Sequence, residues 1–166
     1  SPEGTKRDKG TLVVATNASF EPYEFSQNGK VVGIDIDSDC IEQARENVAA
    51  SPWSERISII HSALQEFTSS KGFDVIISNP PYFVDSLLSP DDKRSTARHT
   101  TTLSFNDLCD GVLRLLAQDG TFSLILPPAE AERFLSVARG RLFLTRRCDV
   151  WSTPDSGIKR VMMELQ

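Results

Sequence analysis

Short apolar runs alternate with polar or helix-breaking stretches along this 166-residue chain. Runs that are rich in β-branched residues and bounded by polar positions predict buried strands over residues 11–16, 56–61, 73–78 and 121–126. An Asn-Gly pair at positions 28 and 29 lies between two further extended runs, and this pair is a strong hairpin-turn signal. The pattern therefore predicts a β-hairpin over residues 20–35.

Helices are predicted where apolar residues recur every three or four positions, over residues 38–49, 104–117 and 128–139. Either Asp37 or Ser38 is the expected N-cap of the first helix. The second begins at a capping box formed by Ser104 and Asp107. Pro128 suits the first turn of the third helix, because proline lacks the amide hydrogen that this position leaves unused.

The alternation of strands and helices favours an α/β fold, a single three-layer, doubly wound domain over residues 1–166 with a mostly parallel sheet. Asp119-Gly120 is expected to end the second helix before the strand over residues 121–126. Residues 142–151 and 159–165 predict a C-terminal antiparallel pair.

The net charge of the chain makes some kinds of binding partner less favourable than others. The formal net charge is −5, which argues against a broad electrostatic grip on nucleic acid. A nucleic-acid substrate would need a local basic patch, and the candidates are Lys93, Arg94 and Arg98, or Arg139, Arg141, Arg146 and Arg147. Solvated surface charges are the alternative for most of these residues. No stretch approaches the ~18 consecutive apolar residues of a membrane span, so no membrane partner is expected.

The three cysteines, Cys40, Cys109 and Cys148, are widely spaced and odd in number. They show no metal-ligand spacing, so no metal site is expected. Reduced thiols that pack inside a cytosolic protein are the simplest expectation. His61 is expected to end a strand rather than to take part in chemistry.

The most informative motif is Asn79-Pro80-Pro81-Tyr82-Phe83, directly after the predicted strand over residues 73–78. Two prolines cannot continue a strand ladder, so a rigid loop is predicted at the carboxyl end of that strand. Ligands of open α/β sheets bind at this edge. A fixed amide and carbonyl can hold an exocyclic amino group, and an aromatic ring can stack on a base. A rigid turn with core aromatic residues is the structural alternative. The long polar segment over residues 84–103 is a further candidate functional loop.

Five segments resemble, in order, the bacterial tRNA adenine-N6 methyltransferases that modify valine tRNA next to its anticodon. The segments are Val31–Asp37, Asn79–Phe83, Ala97–His99, Leu103–Phe105 and Lys159–Val161. Residues 31–166 thus look like a Rossmann-like methyltransferase body. The resemblance implies S-adenosylmethionine as the cofactor, tRNA as the partner, a cytoplasmic location and methyl transfer to the N6 amino group of adenine.

The same resemblance implies roles for individual residues. Asp35 would accept hydrogen bonds from the ribose hydroxyls of the cofactor. Asn79, which also belongs to the implied cofactor site, would hold the adenine amino group with the carbonyl of Pro80, and Tyr82 would stack on the flipped base. The implied catalytic residues are Asn79, Pro80, Pro81 and Tyr82. The implied further substrate contacts are Phe83, Arg98 and His99.

One element of that family is absent from the sequence. The family binds its cofactor with a glycine-rich loop after the first strand, but no glycine lies between Thr11 and Asn28. Residues 1–37 resemble instead the start of periplasmic amino-acid-binding proteins of ABC transporters, where the first strand leads into a hairpin. The segment Val31–Asp37 suits both families. An engineered chimera is therefore the hypothesis, with a periplasmic parent for residues 1–37 and a methyltransferase-like body over 31–166.

The chimera hypothesis carries three expectations. Strand 11–16 would be central, flanked by 56–61 and 73–78, with residues 31–35 outside the sheet core. Exposed aromatic side chains on the N-terminal hairpin would offer a surface for a homodimer; they are Phe20, Tyr23 and Phe25. Methyl transfer would be impaired, with a catalytically inactive fold chimera and an amino-acid-binding module as the alternatives.

Overall fold

The computed structural model describes residues 23–27, 29–80, 103–153 and 155–166, with the backbone alone for residues 23–27. The strands in these residues are β1 (Tyr23–Gln27), β2 (Lys30–Asp35), β3 (Ile57–His61), β4 (Phe73–Ser78), β5 (Leu116–Leu126), β6 (Leu144–Trp151) and β7 (Ile158–Leu165). They form one sheet in the order β3-β2-β1-β4-β5-β7-β6. β6 and β7 pair antiparallel, as predicted for the C-terminal end of the chain.

Three helices and a short 3-10 turn, Ser54–Arg56, connect the strands in the described residues. Helix α1 (Ser38–Ala49) begins at Asp37, whose side chain caps it. Helix α2 (Phe105–Leu115) begins at the predicted capping box. Helix α3 (Pro128–Ala138) begins with its proline in the first turn. All three predicted helices are confirmed, with starts that match the predicted signals.

The predicted N-terminal hairpin is confirmed, and both of its arms lie inside the sheet. β1 and β2 pair antiparallel across a turn where Gly29 has a φ of 75°, a left-handed value that favours glycine. β2 also pairs parallel with β3, and β1 pairs antiparallel with β4. Both edges of each arm are therefore occupied within the chain, so neither arm offers a free edge to a second copy.

The predicted strand order, with a strand over residues 11–16 directly between 56–61 and 73–78, is wrong. β4 has β1 and β5 as its two neighbours, and β2 pairs with β3, so the hairpin fills the space between β3 and β4. The expectation that residues 31–35 stand outside the sheet core is wrong for the same reason. In the sheet, β2 forms backbone hydrogen bonds with β1 on one edge and with β3 on the other, which it would lose outside the sheet. Residues 11–16, and the side chains of the hairpin aromatics, lie outside the described residues.

The boundary between α2 and β5 also differs from the prediction. α2 ends at Leu115, and β5 begins at once with Leu116 in extended geometry. Between the pairs Phe73↔Leu116 and Val75↔Thr121 the strand β5 bulges away from β4. The predicted turn at Asp119-Gly120 is part of this bulge. A Cβ on Gly120 would lie 2.8 Å from the backbone oxygen of Phe73, so the close approach of the two strands needs a glycine there.

The main core lies between the sheet and the helices α2 and α3. The fully buried ring of Phe134 packs edge-on against Phe105 and Phe122, with centroid distances of 5.6 and 6.0 Å. The connections from β2 to β3 and from β4 to β5 step in opposite directions along the sheet, so right-handed crossovers place α1 and α2 on opposite faces. The predicted α/β fold class is confirmed, but the sheet is mixed rather than mostly parallel: β2–β3 and β4–β5 pair parallel, and the other four pairings are antiparallel.

Candidate active site

Four strands end at one edge of the sheet, which we call the carboxyl edge. β2 is parallel to β3, and β4 is parallel to β5. β1 is antiparallel to both β2 and β4, so all four strands run the same way. The carboxyl edge therefore brings together the segments that follow Asp35, His61, Ser78 and Leu126. Ligands of open α/β sheets bind at this edge.

Asp35 is held in place by the turn that follows β2. Its Oδ1 accepts a hydrogen bond of 2.7 Å from the amide of Asp37. Burial is the largest influence on this carboxyl group and raises its pKa above the ordinary value of 3.8, while the amides of Asp37 and Ile36 act in the opposite direction. The result is a partly buried, oriented carboxylate that has one oxygen engaged by the backbone and can accept donors from a ligand.

The carboxylate of Asp37 serves the adjacent helix instead of the edge. Its Oδ1 accepts hydrogen bonds from the amides of Asp39 and Cys40, at 2.9 and 3.0 Å. Burial, followed by the charges of Asp37 and Asp35, raises the pKa of the Cys40 thiol to about 11. This cysteine therefore stays protonated at neutral pH, which argues against a nucleophilic role.

His61 fixes the turn that carries Asp35. Its Nε2 lies 2.8 Å from the carbonyl oxygen of Ile36, and since a carbonyl only accepts, the ring donates here. The amide of Ser62 donates to the carbonyl of Asp35 at 3.0 Å. Two contacts from the end of β3 thus pin the end of β2. The side chain of Ile36 is 42% exposed beside the carboxylate and offers apolar surface to a flat ring.

Ser78, Asn79 and Pro80 form the described part of the proline loop at the end of β4. The Ser78 side chain is 1% exposed, and its Oγ has no hydrogen-bond partner among the described residues. A buried hydroxyl without a partner is unfavourable unless a ligand supplies one. Asn79 comes next, where the ladder ends, and is exposed. An amide side chain and a main-chain carbonyl thus lie at the edge beside a buried polar atom.

A second carboxylate lies near the end of β5. Glu130, in the first turn of α3, is only 7% exposed and is contacted by Arg133 at 3.4 Å. The positive end of the helix dipole favours a carboxylate at this position. Sequence reasoning missed Glu130, Ser78 and the clamp role of His61. The period-2 alternation that buries Ile76 would have placed Ser78 on the same face, whereas the other two depend on tertiary contacts.

The structure brings Asp35 and the Asn79-Pro80 pair to the same edge. They follow β2 and β4, which are separated by β1 alone, a distance of roughly 10 Å at the usual strand spacing. Two polar ends at such a separation suit a ligand of nucleoside size. The other predicted site residues lie outside the described residues; they are Pro81, Tyr82, Phe83, Arg98 and His99.

The strand between these two ends differs from a regular parallel sheet. β1 runs in the opposite direction, so its amino end lies at the carboxyl edge and its carboxyl end lies at the Gly29 turn. The polar groups that the described residues bring to the carboxyl edge therefore lie on either side of β1, with Asp35 at the end of β2 and Asn79 after β4. No described residue supplies a glycine-rich approach to the part between them.

Three of the four arginines in the second candidate basic patch form ion pairs with carboxylates. Arg141 pairs with Asp110, Arg146 with Glu164 at 3.5 Å, and Arg147 with both Glu132 and Asp149. The alternative of solvated surface charges therefore describes these three residues better than a phosphate-binding patch. Lys93, Arg94 and Arg98 lie outside the described residues.

The described residues contain neither a metal-binding cluster nor a membrane-spanning helix. No group of three His, Cys, Asp or Glu side chains in the described ranges is arranged to hold a metal ion. No helix in that part of the chain is long and apolar enough to cross a membrane.

Sequence comparison agrees with the chemistry of this edge. The model of a family described as RMKL-like, methyltransferase domain matches residues 4–103, a range that includes both Asp35 and Asn79. A tRNA1(Val) (adenine(37)-N6)-methyltransferase of Phocaeicola vulgatus is 46% identical over 137 residues, or 82% of this chain and 58% of its own length. The enzyme of the same name from Parabacteroides distasonis is 40% identical over 166 residues, or 97% of this chain and 70% of its own length. The chain thus spans a little over half the length of the first of these relatives.

Solved structures share the fold at low sequence identity. A predicted O-methyltransferase from Agrobacterium tumefaciens superposes with a TM-score of 0.61 at 16% identity, covering 81% of this chain and 60% of its own. The glycopeptide N-methyltransferase MtfA, solved with S-adenosyl-L-methionine, superposes with a TM-score of 0.57 at 12% identity, covering 81% and 71%. These likenesses establish the fold and leave the substrate to the site itself.

Proposed function

We propose a function on the premise that the chain belongs to the RMKL-like methyltransferase domain family. The chain transfers the methyl group of S-adenosylmethionine to the N6 amino group of an adenine in tRNA. One observation carries this proposal: Asp35 at the end of β2 and Asn79-Pro80 after β4 lie at one edge of the sheet with β1 alone between the two strands, about 10 Å apart. The names of the relatives at 46% and 40% identity, tRNA1(Val) (adenine(37)-N6)-methyltransferases, support the choice of substrate.

Asn79 and Pro80 act on the adenine amino group. An aromatic amine is a weak nucleophile because its lone pair is shared with the ring. The Oδ1 of Asn79 and the carbonyl of Pro80 accept hydrogen bonds from the two amino protons, which moves the nitrogen toward tetrahedral geometry and frees the lone pair. The benefit comes from positioning and local electrostatics rather than from a strong base.

Asp35 and its neighbours bind the nucleoside end of the cofactor. The carboxylate accepts hydrogen bonds from the ribose hydroxyls, and Ile36 covers one face of the cofactor's adenine ring. His61 keeps both residues in place through its contact with the Ile36 carbonyl. When bound, the cofactor supplies an electrophilic methyl group on a sulfonium. The charge of Asp35 and the order of its turn decide how tightly that end is held.

Tyr82, with Pro81 and Phe83, belongs to the substrate side of the proposal. An aromatic ring directly after Asn79-Pro80-Pro81 is in the right place in the sequence to stack on a base that has left its helix. Arg98 and His99 follow in the same connection to α2 and are proposed as phosphate or base contacts. These roles rest on the family resemblance and on chain order.

We also propose that cofactor affinity is reduced relative to the family. Glycine is absent between Thr11 and Asn28, and β1 runs antiparallel through the position between β2 and β4. Without glycines the backbone cannot approach the middle of the cofactor closely, and the reversed strand does not end beside it. Both effects weaken binding of that part of the cofactor. If cofactor binding is lost completely, the chain is catalytically inactive.

The origin of the N-terminal segment remains a hypothesis. The antiparallel β1–β2 hairpin agrees with an engineered chimera that contains a periplasmic binding-protein segment over residues 1–37. The methyltransferase family match over residues 4–103 extends across the proposed join, so it does not support a separate parent for the N-terminal segment. An amino-acid-binding module and a homodimer through the hairpin remain predictions. The methyltransferase body is proposed to work in the cytoplasm, where its tRNA substrate is found.

Calorimetric titration with S-adenosylmethionine and S-adenosylhomocysteine is the first test. Binding at micromolar concentration supports a working cofactor site, and a methylation assay on valine tRNA follows. No binding by a sample that unfolds cooperatively would mean that the fold is retained and the cofactor site is not.

Replacing Asn79 by Ala tests the catalytic assignment. Methylation should fall at least ~100-fold, as for other preorganised hydrogen-bonding groups at a reacting centre. Cofactor affinity should change far less, because Asp35 holds the other end. The matched control is Asn47→Ala, which removes an exposed amide on α1. Equal activity of the two variants would exclude Asn79 from the reaction.

A further inference from the structure

The β6–β7 hairpin projects beyond the rest of the carboxyl edge. The last pair between β5 and β7 is Leu126↔Val161, but β7 begins three residues earlier, at Ile158. Its partner strand β6 continues to Trp151, directly opposite Ile158. Three residues of strand correspond to roughly 10 Å. The hairpin therefore forms a wall beside the site, two strand positions away from β4.

The end of this hairpin is held by a local hydrogen-bond network. The Oγ of Ser156 accepts from the amides of Ser152 and Thr153, both at 3.1 Å, and donates to the carbonyl of Thr153 at 2.9 Å. The amide of Ser156 donates to the same carbonyl at 3.0 Å. These bonds fix the turn although most of its side chains are exposed. We call residues 151–153 and 155–160 the hairpin tip.

The hairpin tip presents an aromatic ring beside two cations. Trp151 is 51% exposed, which leaves much of the indole available to a ligand. Lys159 and Arg160 are exposed in the strand that pairs with it, and the guanidinium of Arg160 donates to the carbonyl of Lys159 at 2.8 Å. Lys159 makes no ion pair with any described residue. An exposed indole offers a flat aromatic face on which a base can stack.

We propose that the hairpin tip binds the nucleotides that flank the target adenine, with Trp151 stacked on a neighbouring base and Lys159 at a phosphate. This inference rests on the proposed function, because it assumes an RNA strand at the carboxyl edge. Base stacking on aromatic rings and cationic contacts to the backbone are the two usual means of holding single-stranded nucleic acid.

The position of the tip favours an RNA strand over a small ligand. β4 and β7 are two strand spacings apart, roughly 10 Å, so a nucleotide next to one held at Asn79 reaches the tip. The chain has a net charge of −5, and Arg141, Arg146 and Arg147 are paired with carboxylates. A polyanion is therefore attracted to a local feature of this kind rather than to the protein surface as a whole.

Tryptophan fluorescence tests the stacking contact directly. The chain has two tryptophans, and Trp53 lies before β3 at the opposite edge of the sheet. In Trp53→Phe, the indole of Trp151 is the reporter, and its emission should be quenched by an RNA stem-loop with the anticodon loop of valine tRNA. In the matched variant Trp151→Phe, the same RNA should leave the emission of Trp53 unchanged. Equal responses in both variants would overturn the stacking contact.

Affinity measurements test the energetic role of the tip. Fluorescence anisotropy with the labelled stem-loop should show at least about five-fold weaker binding for Trp151→Ala. For Lys159→Ala, the slope of log affinity against log salt should fall by about 1, as for the loss of one phosphate contact. The control Lys71→Ala removes an exposed lysine at the amino end of β4 and should leave the slope unchanged.

Cofactor titration of the same variants separates the two proposals. Trp151→Ala and Lys159→Ala should bind S-adenosylhomocysteine as the unsubstituted chain does, since neither residue is near Asp35. RNA binding that these variants retain in full would overturn the role of the tip and leave the proposed function intact. An unsubstituted chain that binds cofactor but no RNA would overturn both the tip and the tRNA substrate. Thermal unfolding of each variant shows that the fold is kept.

Discussion

Asp35 keeps a charge in surroundings that oppose it. Burial raises the pKa of this carboxyl group, and the amides of Asp37 and Ile36 offset part of that effect. A carboxyl group whose pKa is higher in the folded chain than in the unfolded chain is stabilising while protonated, and that contribution is lost as the pH rises through the folded pKa. A charge kept at the expense of stability is typical of a binding site.

Replacing Asp35 by Asn should therefore raise the free energy of unfolding at neutral pH. The amide oxygen can still accept from Asp37, and the partly buried charge is gone. The gain should shrink as the pH falls from neutral through the raised pKa of Asp35, because the carboxyl group itself then takes up a proton. Cofactor affinity should fall about ten-fold or more, because a charged acceptor is lost.

Thermal unfolding across this pH range, together with calorimetry, measures both effects of Asp35→Asn. Asp74→Asn, which neutralises an exposed aspartate on β4, is the matched control. An Asp35→Asn chain that is less stable than its parent at neutral pH would contradict the argument from burial.

Ser78 offers a second test at the scale of one atom. Its buried Oγ has no partner among the described residues, so Ser78→Ala removes an unsatisfied hydroxyl with little change in volume. The free energy of unfolding should stay the same or rise by up to about 1 kcal/mol. Urea unfolding measures it, with Ser123→Ala on the neighbouring strand as the control. A clear loss of stability would show that this hydroxyl has a partner in the folded chain.

At the scale of elements, local signals predicted most of the fold because each element carries its own cause. Asp37 caps α1, Ser104 and Asp107 box the start of α2, and Gly29 sets the hairpin turn. The order of strands was not predictable in the same way. Whether β1 pairs with β4 depends on contacts between distant segments, and the hairpin sequence carries no local signal for that neighbour.

The same distinction between local signals and long-range contacts applies to the candidate site. The shared edge of Asp35 and Asn79 was predictable because each lies at the end of an apolar run and the carboxyl ends of parallel strands meet at one edge, whereas the role of Asp35 was implied by the family resemblance alone. The contribution of His61 depends on the carbonyl of Ile36, in the turn that follows another strand, and the burial of Glu130 depends on how α3 packs. Such contacts between distant segments of the chain leave no signal in the local sequence.

The bulge at the start of β5 gives a prediction at this scale. A Cβ on Gly120 would lie 2.8 Å from both the Phe73 carbonyl oxygen and Leu116 Cδ1, and backbone atoms cannot yield as a side chain can. Gly120→Ala should therefore cost about 1–3 kcal/mol of unfolding free energy in urea titrations. Gly157→Ala, which meets nothing within 4 Å, should be close to neutral. Equal stability of the two variants would mean that the bulge adjusts freely.

At the scale of the whole molecule, one reversed strand lies at the centre of an otherwise regular arrangement. β2 and β3 on one side, and β4 and β5 on the other, keep parallel directions and right-handed crossovers. The antiparallel arm β1 satisfies the hydrogen bonds of both neighbours, so the sheet remains continuous. A sheet is thus tolerant of the direction of its middle strand, whereas a ligand that needs the loop after that strand is not.

Exchanging residues 1–30 for a parallel strand, a glycine-rich loop and a helix of methyltransferase type should restore tight cofactor binding. The new strand would end at the carboxyl edge between Asp35 and Asn79, and its glycines would allow the backbone to approach the ligand. Calorimetry with S-adenosylhomocysteine should show at least about ten-fold tighter binding, a gain of ~1.4 kcal/mol. The same exchange with alanines in place of the loop glycines is the matched control and should lose most of the gain. If the unaltered chain already binds as tightly as the exchanged one, the hairpin replaces the glycine loop and the proposed impairment is wrong.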